Sequence, residues 1–289
     1  MQNFKKNLDL SNKTAIVTGG AGILGRTYCV ALLKSGAKVV ILDKKIVKNK
    51  LLSQLQDENG LEKSNLENLQ MVECDITNSK KINQVFKKIK STLNNLEILV
   101  NNASLVKQVG NENLVDNYKP FLKMESKDWE EFFSVDLTGT LLVTQKSIPF
   151  MMKHGKGSII NISSTYGILS PDQRLYEYFN KSLTKKQKEL GIEIEKPIGY
   201  SISKSGILNL TRFLATKFAK YNIRINTLTL GGVYQNNPSQ FVKAYSERTP
   251  LGRMARKNEY VGPLLFLASD MSSYMTGSNL IVDGGWSAW

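Results

Sequence analysis

Tyr200 and Lys204 are four residues apart in a segment of helical periodicity, so both side chains emerge on one face of one helix. A phenol, with an ordinary pKa of about 10, becomes a useful proton carrier when a nearby ammonium plus a nicotinamide cation draw that value toward working pH. It then protonates a carbonyl oxygen during reduction, or takes the proton of an alcohol during oxidation. Ser164 closes the run Ile160-Asn161-Ile162-Ser163-Ser164 and offers a hydroxyl to a substrate oxygen where charge builds up. Tyr-x-x-x-Lys pairs are common, and a serine at a strand end is ordinarily a turn residue. The chemistry therefore needs a hydride carrier beside it.

A site for such a carrier is written near the N-terminus. Gly19, Gly20, Ala21, Gly22, Ile23, Leu24 and Gly25 lie between an apolar run and a helical segment, and Gly20, Gly22 and Gly25 satisfy G-x-G-x-x-G. A side chain there would block a tight turn, the approach of a pyrophosphate or the packing of helix on strand, and the helix N-terminus faces the phosphates. Asp43 ends the next apolar run, where its carboxylate accepts hydrogen bonds from an adenosine ribose and repels a 2′-phosphate. NAD is expected, with NADP as the alternative, because Lys44 and Lys45 would hold that phosphate if Asp43 turned away. Asp75 with Ile76, and Asn101 with Asn102 and Ala103, also follow strand-like runs, where ligands of open parallel sheets collect.

The elements that position these residues alternate. Runs at 14–18, 38–42, 69–73, 97–100, 158–162, 224–230 and 279–282 are short and mostly apolar, as strands covered on both faces are. Between them, 23–34, 79–91, 129–152 and 200–220 carry apolar residues at helical spacing. The pattern predicts an α/β fold, a doubly wound Rossmann-type parallel sheet of about seven strands with helices on both faces. One domain over 1–289 is expected, and 44–68, 105–127 and 170–197 break the alternation. The last, which holds Arg174, Lys181, Lys185, Lys186, Lys188 and Lys196, reads as a lid or binding-loop insertion.

Composition narrows the function classes. The net charge of +14 would suit nucleic acid, but the lysines are spread over every helix face, without a basic stripe, so no nucleic-acid partner is expected. No apolar run approaches the ~20 residues of a membrane span, and residues 1–10 lack an apolar export segment, so no membrane is expected. Cys29 and Cys74 read as buried free thiols, consistent with the cytoplasm. His154 is the sole histidine, which removes most metal-site and histidine-triad chemistry, and it reads as a helix-end residue.

Taken in order, these motifs resemble the short-chain dehydrogenase/reductase family from Lys13 to Gly285. The glycine loop, Asn101 to Ser104, Ser164 followed by Thr165-Tyr166-Gly167, the Tyr200/Lys204 pair, and Thr276-Gly277 through Asp283-Gly284-Gly285 carry the resemblance. It implies a sheet of order 3-2-1-4-5-6-7, hydride transfer with NAD(P) and a small-molecule alcohol or ketone, no metal, and a homo-oligomer, tetramer or dimer. It also implies that Gly231 and Val233 approach the nicotinamide. Four positions depart from the family pattern: Ile23 stands for the middle glycine, Ser104 for a glycine, Leu230 for a proline, and Asp136 for the asparagine of the catalytic tetrad. Asp136 serves in that role if its backbone carbonyl holds a water beside Lys204. The 170–197 insertion lengthens the Ser164–Tyr200 separation beyond the family norm, and its basic and aromatic content suits a polar or anionic substrate such as a sugar phosphate or nucleotide sugar. In this the chain is similar to members from bacterial surface-sugar and flagellin-modification pathways. The alternatives are a dinucleotide-sensing regulator without catalysis and a 3-oxoacyl thioester reductase.

Overall fold

Strands β1 (Thr14–Thr18), β2 (Lys38–Asp43), β3 (Leu69–Glu73), β4 (Leu96–Asn101), β5 (Gly157–Ser164), β6 (Ile223–Leu230) and β7 (Asn279–Val282) form one sheet. Every neighbouring pair is parallel, in the order β3-β2-β1-β4-β5-β6-β7. The computed structural model describes residues 7–57, 59–106, 119 and 121–289. The start of the segment read for an export signal, 1–6, and most of the 105–127 stretch, 107–118 and 120, lie outside the described residues.

The helices are α1 (Ile23–Lys34), α2 (Lys48–Gln56), α3 (Ser79–Lys88), α4 (Ser126–Phe132), α5 (Thr140–His154), α6 (Glu177–Ser182), α7 (Lys185–Glu189), α8 (Ile198–Phe218), α9 (Ser239–Arg248) and α10 (Val261–Ala268). Because side chains alternate along a strand, apolar runs feed two cores. Ala15, Val17, Val39, Ile41 and Ile160 pack with α1 and α10 on one face. Ile16, Val40, Leu42, Leu99 and Ile159 pack with α3, α5 and α8 on the other. Cys29 and Cys74 are buried and unpaired, and His154 ends α5 with Nε2 2.9 Å from Glu97 Oε1.

Two helical readings change. The expected helix over 129–152 is α4 and α5 joined by a π-helical segment, Phe133–Gly139, whose wider turn carries Asp136 inward. The segment 170–197 is built of a 3-10 turn (Gln173–Tyr176), α6 and α7 rather than open loop. Its sparse apolar residues, Leu175, Tyr176, Phe179, Leu183 and Ile194, close a third core against Tyr245, Met254 and Trp286. The lysines masked that pattern, and two of them face outward: Lys181 pairs with Glu177 and Lys185 with Glu189 one turn apart. Arg174 and Arg248 both hold Asp172, tying this segment to α9.

The chain leaves β1 toward β2 and returns to β4 on the other side, so the carboxyl ends of β1 and β4 diverge into a crevice. Beneath it, polar side chains are hydrogen-bonded to one another inside the core. Asn101 Nδ2 donates to Thr144 Oγ1 at 2.9 Å and Asn161 Oδ1 at 2.8 Å, and Asn161 Nδ2 donates to Thr211 Oγ1 at 2.9 Å. This chain of bonds fixes β4 and β5 against α5 and α8, the elements that carry the residues above.

Candidate active site

Gly19, Gly22, Ile23, Leu24, Gly25, Asp43, Asp75, Ile76, Asn102, Ala103, Ser164, Tyr200, Lys204, Gly231 and Val233 all line one cleft of about 800 Å³ along the carboxyl edge of the sheet. Gly20 packs behind it against Ile41, and Asp136 lies buried behind the wall beside Lys204.

At one end the glycine loop turns from β1 into α1. The tight turn is made by Gly19, at φ 62°, and not by Gly20. A Cβ on Gly25 would stand 2.1 Å from Gly19 O, so helix and loop touch at backbone distance. Asn102 Nδ2 donates to Thr18 O at 3.0 Å and Gly19 O at 3.1 Å, while Thr18 Oγ1 accepts from the amides of Asn102 and Ala103. Asn102 thus holds the loop in place, and Asn101 turns into the core network. The N-terminus of α1 has no side-chain cap and no acid in its first turn, which leaves its amides for an anionic ligand. Asp43 Oδ2 accepts from Ala21 N at 3.0 Å, so its carboxylate faces the loop; Lys44 pairs with Asp75 at 3.3 Å. Dinucleotide phosphates and a ribose diol fit this donor and acceptor set.

At the other end, α8 opens beside β5. Tyr200 stands in its first turn and Lys204 one turn on, with Lys204 Nζ 5.7 Å from the centroid of the Tyr200 ring. Lys204 Nζ donates to Ile162 O at 3.2 Å, and Ser163 Oγ donates to Lys204 O at 2.8 Å, so helix and strand are bonded in both directions. Ser164 ends β5, and its hydroxyl accepts from Tyr166 N at 3.2 Å. A Cβ on Gly167 would lie 2.6 Å from Lys204 O, so the turn after Ser164 approaches α8 closely. The sequence suggested a phenol drawn down by an ammonium together with a nicotinamide cation; in the protein alone, burial pushes the Tyr200 hydroxyl up to about 12, against the opposing hydrogen bond of Ser164 and helped by Asp136.

Asp136 lies against Lys204. Its Oδ2 is 3.7 Å from Lys204 Nζ, with both side chains buried, and it accepts from Ser203 Oγ at 2.8 Å and Ser104 Oγ at 3.2 Å; Oδ1 accepts from Leu105 N at 3.0 Å. Two positions that looked like separate departures, Ser104 and Asp136, therefore act together. The contact to Lys204 is through the carboxylate itself. Ser203 was not singled out by sequence; its only signal is its place beside Lys204.

After β6, Leu230 continues the ladder to Val282, and the next turn is pinned without a proline. Gly232 N donates to Tyr245 Oη at 2.5 Å, Tyr260 Oη donates to Gly231 O at 3.1 Å, and Ala255 N donates to Gly232 O at 2.9 Å. Lys196, Tyr166, Tyr176, Gln235, Asn237 and Phe241 complete this end of the cleft. They come from three distant segments, so no local spacing announces them.

Comparison with known proteins finds relatives over nearly the whole chain. Residues 13–178 match the family described as short chain dehydrogenase, and 184–287 match that described as Enoyl-(Acyl carrier protein) reductase. The chain is 29% identical over 283 residues to the 3-oxoacyl-[acyl-carrier-protein] reductase FabG of Aquifex aeolicus, covering 96% of this chain and 98% of that protein. It is 29% identical to the D-arabinitol 2-dehydrogenase [ribulose-forming] of Scheffersomyces stipitis, covering 99% and 98%. Among solved structures, the short chain dehydrogenase of Leptospira borgpetersenii with bound NAD+ superposes with a TM-score of 0.79 at 29% identity, covering 99% of this chain and 96% of that one.

Proposed function

The chain belongs to the short chain dehydrogenase family, and from that premise we propose that it transfers hydride between NAD(P) and a secondary alcohol or ketone of a sugar derivative. The observation that carries this reading is the convergence of Ser164, Tyr200 and Lys204 in the same cleft as the glycine loop. A nicotinamide bound there supplies or accepts the hydride. Tyr200 passes the proton at the substrate oxygen, Ser164 hydrogen-bonds that oxygen as charge develops, and Lys204 presents its ammonium beneath the phenol. Asp136 holds Lys204 in place and offsets part of its charge. Gly19, Gly20, Gly22, Ile23, Leu24 and Gly25 form the phosphate end, Asp43 meets the ribose, Asp75, Ile76, Asn102 and Ala103 form the adenosine wall, and Gly231 and Val233 face the nicotinamide.

NAD is the preferred cofactor, supported by an Asp43 that faces the loop and a Lys44 engaged by Asp75. Asp43→Ala is expected to lower the NAD over NADP ratio of kcat/KM by about tenfold or more, since hydrogen bonds to a charged group are worth roughly 1.5–3 kcal/mol. A ratio that does not move would take Asp43 out of cofactor selection.

The chain is read as one domain over 1–289, with 170–197 as the insertion that shapes the substrate pocket. The substrate class follows members from surface-sugar and flagellin-modification pathways. The test is absorbance at the nicotinamide band with NAD and NADP against sugars, sugar phosphates, nucleotide sugars and simple ketones. Turnover of 3-oxoacyl thioesters alone would favour the second reading, which the FabG relatives support. Cofactor binding without any turnover would favour a sensing regulator.

Unpaired Cys29 and Cys74 support a cytoplasmic location. No described helix is long and apolar enough to cross a membrane. A homo-oligomer, tetramer or dimer, is supported by exposed Leu141 and Met152 on α5 and Ile202 and Phe213 on α8. The double variant Ile202→Asp with Phe213→Asp is expected to sediment as a smaller species than wild type, and equal sedimentation would put any interface elsewhere.

A further inference from the structure

Lys196 closes the 170–197 segment just before Pro197 and α8, and its place there is built from both sides. Its backbone amide donates to Gln173 Oε1 at 3.0 Å. Two residues earlier, Ile194 N donates to Asn180 Oδ1 at 2.7 Å and Asn180 Nδ2 donates to Ile194 O at 2.9 Å. The side chain turns into the cleft, with Nζ 3.9 Å from the centroid of the Tyr200 ring and 6.0 Å from that of Tyr166. The other charged side chains of this segment whose pairs are described above point away from it.

The charges around Nζ do not balance. Among the described residues no carboxylate stands within ion-pair distance of Lys196, and Asp136, the acid whose charge reaches it, is engaged by Lys204, Ser203 and Ser104. The two carboxylates that line the cleft, Asp43 and Asp75, lie at the glycine-loop end. Burial, followed by repulsion from Lys204, brings Lys196 down to about 8, against a weaker pull from Asp136. An ammonium half-buried beside a second lysine is costly unless an opposite charge arrives. The other polar groups at this end, among them the amides of Gln235 and Asn237 and the phenols of Tyr166 and Tyr176, bring no carboxylate.

We propose that Lys196 is the receptor for an anionic group on the substrate, which is therefore a small hydroxy or oxo compound with a carboxylate or phosphate a few bonds from the carbon that exchanges hydride. The short span follows from the position of Nζ over the ring whose hydroxyl meets the reacting oxygen. This inference rests on the dehydrogenase reading above and narrows its substrate.

The test compares kcat/KM for ribitol, ribonate and ribitol phosphate in wild type, Lys196→Gln and Lys196→Arg. The ratio of anionic to neutral substrate cancels any effect of the substitution on the phenol itself. In wild type the better anion is expected to exceed ribitol by about tenfold or more, as a charge-assisted hydrogen bond permits. The ratio falls toward unity in Lys196→Gln and returns in Lys196→Arg, and the identity of the better anion separates carboxylate from phosphate. A ratio near unity in wild type, or one that Lys196→Gln leaves intact, overturns the proposal. Calorimetric titration with tartronate and with inorganic phosphate, under saturating NADH to fill the glycine-loop end, reads the same contact without turnover. At least one of the two anions is expected to bind wild type and to weaken about tenfold or more in Lys196→Gln. Binding of neither to wild type, or equal binding to both proteins, overturns the proposal. Tartronate or phosphate binding that depends on Lys196, with no turnover of any substrate, would uphold the anion site and count against the dehydrogenase reading.

Discussion

Tyr200→Phe is expected to lower kcat by about 10³-fold, within the range of roughly 10²–10⁴ that a positioned acid or base supplies. The variant removes one hydroxyl and keeps the ring against which Lys196 and Lys204 lie, so NADH affinity and melting temperature should stay close to those of wild type. Turnover within a few-fold of wild type would mean that the proton passes elsewhere. The pH dependence has a defined sign. With the phenol held at about 12, Tyr200 remains protonated through the neutral range. Ketone reduction, which uses the acid form, should therefore persist to high pH and fall only as the phenol ionises, whereas alcohol oxidation should climb as pH rises. Binding of the oxidised cofactor, whose nicotinamide is a cation, shifts the oxidation limb toward lower pH by favouring the phenolate, whereas the neutral ring of NADH leaves the reduction limb in place.

Replacing Asp136 separates charge from packing. Asp136→Ala removes the acceptor for Leu105 N, Ser203 Oγ and Ser104 Oγ and leaves the buried Lys204 ammonium facing no carboxylate. Loss of one partner of a buried ion pair costs about 3–5 kcal/mol. For a chain of this size that corresponds to a melting-temperature drop of about 5–8 °C, read by calorimetry, with the free-energy loss read by denaturant titration. A loss under about 1 kcal/mol would show that water compensates Lys204 and that the pair contributes little. Asp136→Asn keeps the shape and removes the charge. Because Asp136 helps to raise the Tyr200 hydroxyl, the oxidation profile of this variant should move to lower pH, with a stability loss smaller than that of the alanine variant. A profile that stays in place would leave Asp136 as a structural residue alone.

The departures from the family pattern become coherent once their contacts are seen. Ser104 in place of glycine supplies a hydroxyl to the carboxylate that stands in place of an amide. Leu230 in place of proline continues β6, and Tyr245 and Tyr260 fasten the turn that follows. Ile23 in place of glycine stands partly exposed on the lip of the cleft, while Gly22, one position earlier, caps α1.

What the sequence determined by itself was local or periodic. Short apolar runs between helical stretches specified a parallel sheet, because a strand covered on both faces has no polar side. The spacing of Tyr200 and Lys204 put them on one helix face, and the glycines marked where backbone must approach backbone. Within the glycine loop the register was legible but the division of labour was not, since only the folded loop shows that Gly19 takes the left-handed turn. Tertiary structure alone decided the contacts between segments far apart in the chain: Ser104 with Asp136 across 32 residues and Ser203 with Asp136 across 67. It also decided the sign of the Tyr200 shift, because desolvation depends on what packs around a group and leaves no trace in residue spacing. For the same reason Lys196 looked like one lysine of a solvated segment until the fold buried that segment's apolar residues against α9 and turned this one ammonium inward.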